Sequence, residues 1–194
     1  YKQVSCGKPS MWDEGEPRAS HSASWESFYG MQLLSYVDPD TAWSAYRGLM
    51  SLVDEDGMLG GESLPSENAH TAWILYQNKA DKEALKEIYP ALKRHLTWRF
   101  NNPRWILNSH DNPYEKDYDF CSNFMMDVDF AIKICEEIGE TADVAYWEDL
   151  QSQMYENIKT WFYRDDRSAP YQCYYTNDGS LSSGAQAWVV KSLW

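Results

Sequence analysis

The chain has 194 residues, 43% of them hydrophobic and 24% charged, which is the balance of one globular domain with a sizeable core. Its formal net charge of −13 argues against nucleic acid as a partner, because such binders rely on lysine and arginine against phosphates and the one basic cluster, Lys93, Arg94 and Arg99, is sparse. No apolar run reaches the ~20 residues that span a bilayer, and Cys6, Cys121, Cys135 and Cys173 lack the spacing of a zinc site or a dense disulfide framework.

Residues 1–21 read as an irregular lead-in without the pattern of a signal peptide, which leaves the compartment open with the cytoplasm favoured. Residues 22–37 then carry Trp25, Phe28, Tyr29, Met31, Leu33, Leu34 and Val37 near helical spacing, and 40–53 repeat the pattern with Trp43, Tyr46, Leu49, Met50 and Val53. Between them, Asp38-Pro39-Asp40-Thr41 predicts a turn in which the proline ends one helix and Asp40 caps the next. A second pair follows over 68–77 and 82–100, joined at Asn78-Lys79-Ala80-Asp81. The third covers 120–138 and 142–163, with Gly139 placed to end the first member. Cys121 and Cys135 fall among apolar helical positions and read as buried thiols. Beyond them, Tyr171, Cys173 and Tyr175 alternate as in a short extended element, and 185–194 opens another helix.

The fold class is therefore all-α, with consecutive αα-hairpins recurring about every 45 residues in a single domain over 1–194. Long loops of 54–67 and 101–119 both join one hairpin to the next, so both are expected on one face of the array. A tetratricopeptide-like solenoid needs a tight repeated packing signature that this chain lacks, whereas a closed toroid tolerates long loops on one face. A ring of six hairpins takes on the order of 350 residues. The chain thus reads as about half of such a ring, with self-association or a missing C-terminal half to cover the seam. Ten Trp and 14 Tyr exceed ordinary usage, and rings of this kind serve as core fillers or as platforms for sugar faces. Trp12, Trp25 and Trp105 are expected near the loop face.

Three stretches carry a family resemblance: Trp25-Glu26-Ser27-Phe28-Tyr29-Gly30; Asp56-Gly57-Met58-Leu59 leading to Leu64-Pro65 and Ala69-His70-Thr71-Ala72-Trp73; and Ser109-His110-Asp111-Asn112-Pro113. Taken in order, they resemble the (α/α)6 six-hairpin glycosidases, closest to glycoside hydrolase family 63 with its α-glucosidase, mannosylglycerate hydrolase and trehalase-like relatives. Glu26 stands where that family usually has Asp, His110 where Trp or Leu is usual, and Tyr114-Glu115 where Ser-Pro-Arg would continue. The resemblance implies hydrolysis of an α-linked oligosaccharide or small glycoside without a cofactor or metal. It implies Asp111 as the general acid, Trp25 and Glu26 as contacts to the sugar before the cleaved bond, and a catalytic base from a later hairpin.

The chemistry needs a carboxylic acid to protonate the leaving oxygen and a second carboxylate across the sugar, ~6.5–9.5 Å away in an inverting enzyme. Asp111 sits among amide and imidazole side chains in Asn108-Ser109-His110-Asp111-Asn112, where desolvation would hold its proton, and it equally fits an Asx-turn before Pro113. Glu62, His70, Trp105 and Asn112 are the further candidates for lining a pocket; Glu62 also reads as a solvated loop acid and His70 as a helix-cap histidine. Asp117 and Asp119 read as caps of the following helix, with a second-carboxylate role as the alternative. Met125, Met126 and Phe130 read as core. Two other functions fit the pattern: a non-catalytic helical-repeat module that binds carbohydrate or protein, and a lyase or phosphorylase on the same scaffold.

Overall fold

The computed structural model describes residues 24–59, 67–104, 114–163 and 173–175. Among them lie six helices, so the all-α class holds: α1 (Ser24–Leu34), α2 (Pro39–Met50), α3 (Asn68–Asn78), α4 (Lys82–Asn101), α5 (Tyr118–Ile138) and α6 (Ala142–Phe162). Two short strands, β1 (Glu115–Asp117) and β2 (Cys173–Tyr175), pair antiparallel with Glu115 opposite Tyr175. The second of these is the extended element expected around Cys173; residues 1–21 and 185–194 lie outside the described residues.

Local chemistry accounts for the helix ends, with one correction. Asp38, not Asp40, caps α2: its carboxylate accepts from the Thr41 amide at 3.1 Å and from the Thr41 hydroxyl at 2.6 Å. Pro39 is the first residue of that helix, where its missing N–H costs nothing and its fixed φ fits. Asp81 caps α4 through the Ala84 amide at 3.0 Å. That helix runs through Pro90, which forgoes one ladder bond without ending it. Asp117 caps α5 by accepting from the Asp119 amide at 2.9 Å, so the helix begins at Tyr118, two residues before the expected Phe120. Gly139 closes α5 in the left-handed region at φ 90°, as expected of a C-terminal glycine.

Each hairpin packs on the next in two rows. α1, α3 and α5 contact one another in sequence, α2 contacts α4, and the two members of each hairpin contact each other. Side chains tie α4 to α6: the Tyr89 hydroxyl donates to Asp143 at 2.7 Å and accepts from Trp147 Nε1 at 3.1 Å. Burial fills the space between the rows with Phe28, Trp43, Tyr46, Leu85, Leu92, Phe124, Ile134, Trp147 and Phe162. Cys121 and Cys135 are buried free thiols in that core. Trp43 and Trp147 are core fillers, while Trp25, Trp73, Trp98 and Trp161 are half-buried.

The Asp56-Gly57 turn has a steric reason for its glycine. Gly57 has φ +97°, and a Cβ there would lie 2.5 Å from the Arg94 carbonyl oxygen and 2.8 Å from Trp98 Cβ. His95, fully inside, holds the turn against α4 through Nδ1 and the Gly57 carbonyl at 2.8 Å. The described parts of the two long loops therefore meet one end of α4: 54–59 packs on 94–98, and 101–104 continues from its last turn.

Candidate functional site

Residues from α1, α3 and α5 converge at the N-terminal end of α3. Glu67 occupies the N-cap position of that helix, but its carboxylate turns to other partners. Oε1 accepts from the Tyr29 hydroxyl at 2.8 Å; Oε2 lies 3.1 Å from His70 Nδ1 and 3.4 Å from Gln32 Nε2. Gln32 also donates to the Thr71 hydroxyl at 2.9 Å. Burial works to push the Glu67 carboxyl up, but the hydrogen bonds from His70, Tyr29 and Gln32 together outweigh it and hold the group below the ordinary glutamate value.

An ionised Glu67 fixes the imidazole beside it. His70 Nδ1 donates to the carboxylate, which leaves Nε2 as the ring nitrogen with no hydrogen bond among the described residues. The ring lies flat on Phe130, centroids 4.3 Å apart and planes 18° from parallel, and Lys133 Nζ sits 4.7 Å from the centroid of that same phenyl ring. One turn before Tyr29, the half-buried Trp25 meets the phenol ring at 6.4 Å. The site thus offers a carboxylate, an imidazole and three aromatic rings drawn from α1, α3 and α5.

Its floor is a buried ion pair. Asp127, on α5 and fully buried, accepts the Asn68 amide at 2.9 Å through Oδ2 and the His70 amide at 3.1 Å through Oδ1, while Arg99 Nη1, from the last turn of α4, also contacts Oδ2. Burial pushes the Asp127 carboxyl above its ordinary value, against the pull of the Arg99 guanidinium and the two amides. Away from this cluster, at the start of α5, burial raises Asp117 to about 7, with Asp119 and Glu115 adding to the rise against the hydrogen bond from the Asp119 amide.

The residues proposed from sequence divide three ways. Trp25 and His70 belong to the cluster. Glu26 is exposed in the first turn of α1, where its charge suits the helix dipole. Asp111, Glu62, Trp105 and Asn112 lie outside the described residues, as does Trp12. Glu67, Tyr29 and Asp127 went unrecognised as site residues, although Glu67-x-x-His70 at a helix start is a readable pairing because residues three apart share a face. Phe130, read as core, is half-buried and serves as the platform under His70.

No protein-family model matches this chain, and no curated protein matches it. The chemistry of the site is accordingly read from its own residues. Among the described residues no group of three or more His, Cys, Asp or Glu is arranged to hold a metal ion, and no helix is long and apolar enough to cross a membrane. A separate cleft of about 490 Å³ runs between the 54–58 turn and α4, lined in part by Glu55, Asp56, Lys93, Arg94 and Trp98. It brings together none of the predicted site residues, and its Lys93 is already bonded to Asp143 at 2.6 Å.

Proposed function

We propose that this chain is part of an (α/α) toroid that binds and hydrolyses an α-linked oligosaccharide or small glycoside. The observation that carries the reading is the Glu67–His70 pair. With Trp25, Tyr29 and Phe130 it puts hydrogen-bonding groups and aromatic rings together around the start of α3, where the first long loop ends. Rings of this kind take the apolar faces of a pyranose, and His70 Nε2 is a hydrogen-bond partner for a hydroxyl. Asp111, by resemblance, is the acid that protonates the leaving oxygen. The rows α1–α3–α5 and α2–α4 support the toroid, because inner and outer helices of such a ring alternate in this way. On this reading six helices form half of the ring. Leu33, Tyr36 and Val37, which are 73%, 70% and 80% exposed, are surface that further hairpins or a second copy would cover, and the base comes from outside these six helices.

A second reading, a carbohydrate-binding module without catalysis, is favoured by the state of Glu67. Both of its oxygens already accept hydrogen bonds, so it serves better as an orienting group than as a base. Asp111→Asn separates the two. Loss of glycoside turnover with helix content and sugar affinity retained supports the hydrolase. Equal sugar binding by both chains with turnover in neither supports the module, and binding by neither removes both readings. Sedimentation as a stable monomer that turns over an α-glycoside would overturn the half-ring.

A further inference from the structure

We infer that Asp127 is a positioning residue: from the middle of α5 it caps the N-terminus of α3, and so holds the Glu67–His70 pair in register with its neighbours. The inference rests on the Glu67–His70 cluster being part of the binding site.

A helix needs acceptors for its first amides, and the residue at the N-cap normally supplies one from its own side chain. In α3 that residue is Glu67, whose carboxylate makes no cap bond and is spent on Tyr29, Gln32 and His70. The capping task has moved to Asp127, about 60 residues away in the chain, which takes the amides of Asn68 and His70 on its two oxygens. A serine at position 67 would cap α3 without burying any charge, so capping alone does not account for this arrangement. Freeing Glu67 for the site does.

The second argument is that α5 grips His70 twice. Asp127 holds its backbone amide, and Phe130, one turn further along the same helix, carries its ring. Arg99 brings α4 to the same carboxylate, so three helices meet on one group. The junction is costly to bury. Arg99 Nε and Nη2, both amide atoms of Asn68, and Asn123 Oδ1 are buried with no hydrogen-bond partner among the described residues. Apolar packing would make a more stable junction, and polar groups kept at such a cost are expected where geometry matters more than stability.

The test uses the full chain and needs no ligand for its main readouts. In Asp127→Asn one backbone donor faces an NH2 group, so amide exchange at Asn68 and His70 should quicken ~100-fold while amides of α2 and α6 stay within ~3-fold. The Glu67 carboxyl, followed by its 13C shift, should titrate higher than in the parent as its bonds to His70, Tyr29 and Gln32 loosen against the upward push of burial. If Asp127→Asn does not fold, Arg99→Lys is the substitute. It keeps the charge but shortens the side chain that reaches Oδ2, and should give the same pattern at ~10-fold. Unchanged exchange at both amides with an unchanged Glu67 titration overturns the inference. A chain that shows the exchange and titration changes but binds no maltooligosaccharide upholds the positioning role and overturns only the sugar-binding reading. Where sugar is bound, Asp127→Asn should weaken it ~10-fold.

Discussion

The starts of α2 and α4 on one side, and the start of α3 on the other, solve the same problem in opposite ways. At the turns inside hairpins, helix starts are satisfied locally: Asp38 and Asp81 cap their own helices within three residues, and nearby charges pair at the surface, Lys79 with Asp40 and Arg47 with Glu87. The start of α3, after the first inter-hairpin loop, is satisfied from a distant helix, with a buried ion pair and several buried polar atoms that lack partners among the described residues. Local caps are cheap and interchangeable; a remote buried cap ties three helices to one geometry. The difference teaches where the chain spends stability on arrangement, and therefore where its chemistry is to be sought.

The sharpest way to break the comparison is at its most buried member. Arg99→Met leaves the Asp127 carboxylate inside the fold without its counter-charge, and should cost about 3–5 kcal/mol in urea unfolding. A loss below about 1 kcal/mol would place this junction on the same footing as the surface pairs.

Acid should reveal the buried groups next. Burial holds His95 down to about 3 from its ordinary 6.5, with the Arg99 charge adding to the effect against the hydrogen bond to Gly57. Between those values the unfolded chain takes up a proton that the folded chain refuses, so this contribution is complete above about pH 6.5 and is lost as the pH falls toward 3. Stability followed from pH 7 to pH 4 should fall by about 3 kcal/mol from this group, and His95→Gln should remove most of that slope. An unchanged slope in the variant would assign the acid sensitivity to other groups.

Much of this contrast was readable in advance, and the unread part has one physical cause. Helical spacing and the Asp81 and Gly139 signals place the hairpins within a few residues, because capping and amphipathic periodicity are local properties. The proline in Asp38-Pro39-Asp40 reads equally as the end of one helix, which points to Asp40 as the cap, and as the first residue of the next, which makes the cap Asp38. Of the residues proposed from sequence, Trp25 and His70 fall in the candidate cluster. In the sequence Glu67 marks only the end of a loop, and Asp127 lies within Phe124-Met125-Met126-Asp127-Val128, where nothing shows that its partners are Asn68, His70 and Arg99. An acid inside an apolar helical run is the signal that could have marked it.

At the turns inside hairpins the effects should be smaller. Asp81→Ala removes one cap, with the Ala84 amide left to water, and should cost about 1 kcal/mol. The ordering sought is Arg99→Met well above Asp81→Ala.

The smallest effect is expected at Lys79, and it completes the contrast. Its ammonium touches Asp40 across the α1–α2 and α3–α4 turns, an ion pair of the same formal kind as Arg99 with Asp127. Its side chain is 43% exposed and that of Asp40 78%, so water already solvates both charges in the unpaired state. Little desolvation is reversed when the pair is broken, and ordering a long lysine side chain offsets what attraction remains. Lys79→Met should therefore leave the unfolding midpoint indistinguishable from that of the parent at ordinary salt, and added salt should not separate the two. A loss as large as that of Asp81→Ala would mean that charge pairing matters equally at both places, and burial would no longer distinguish them.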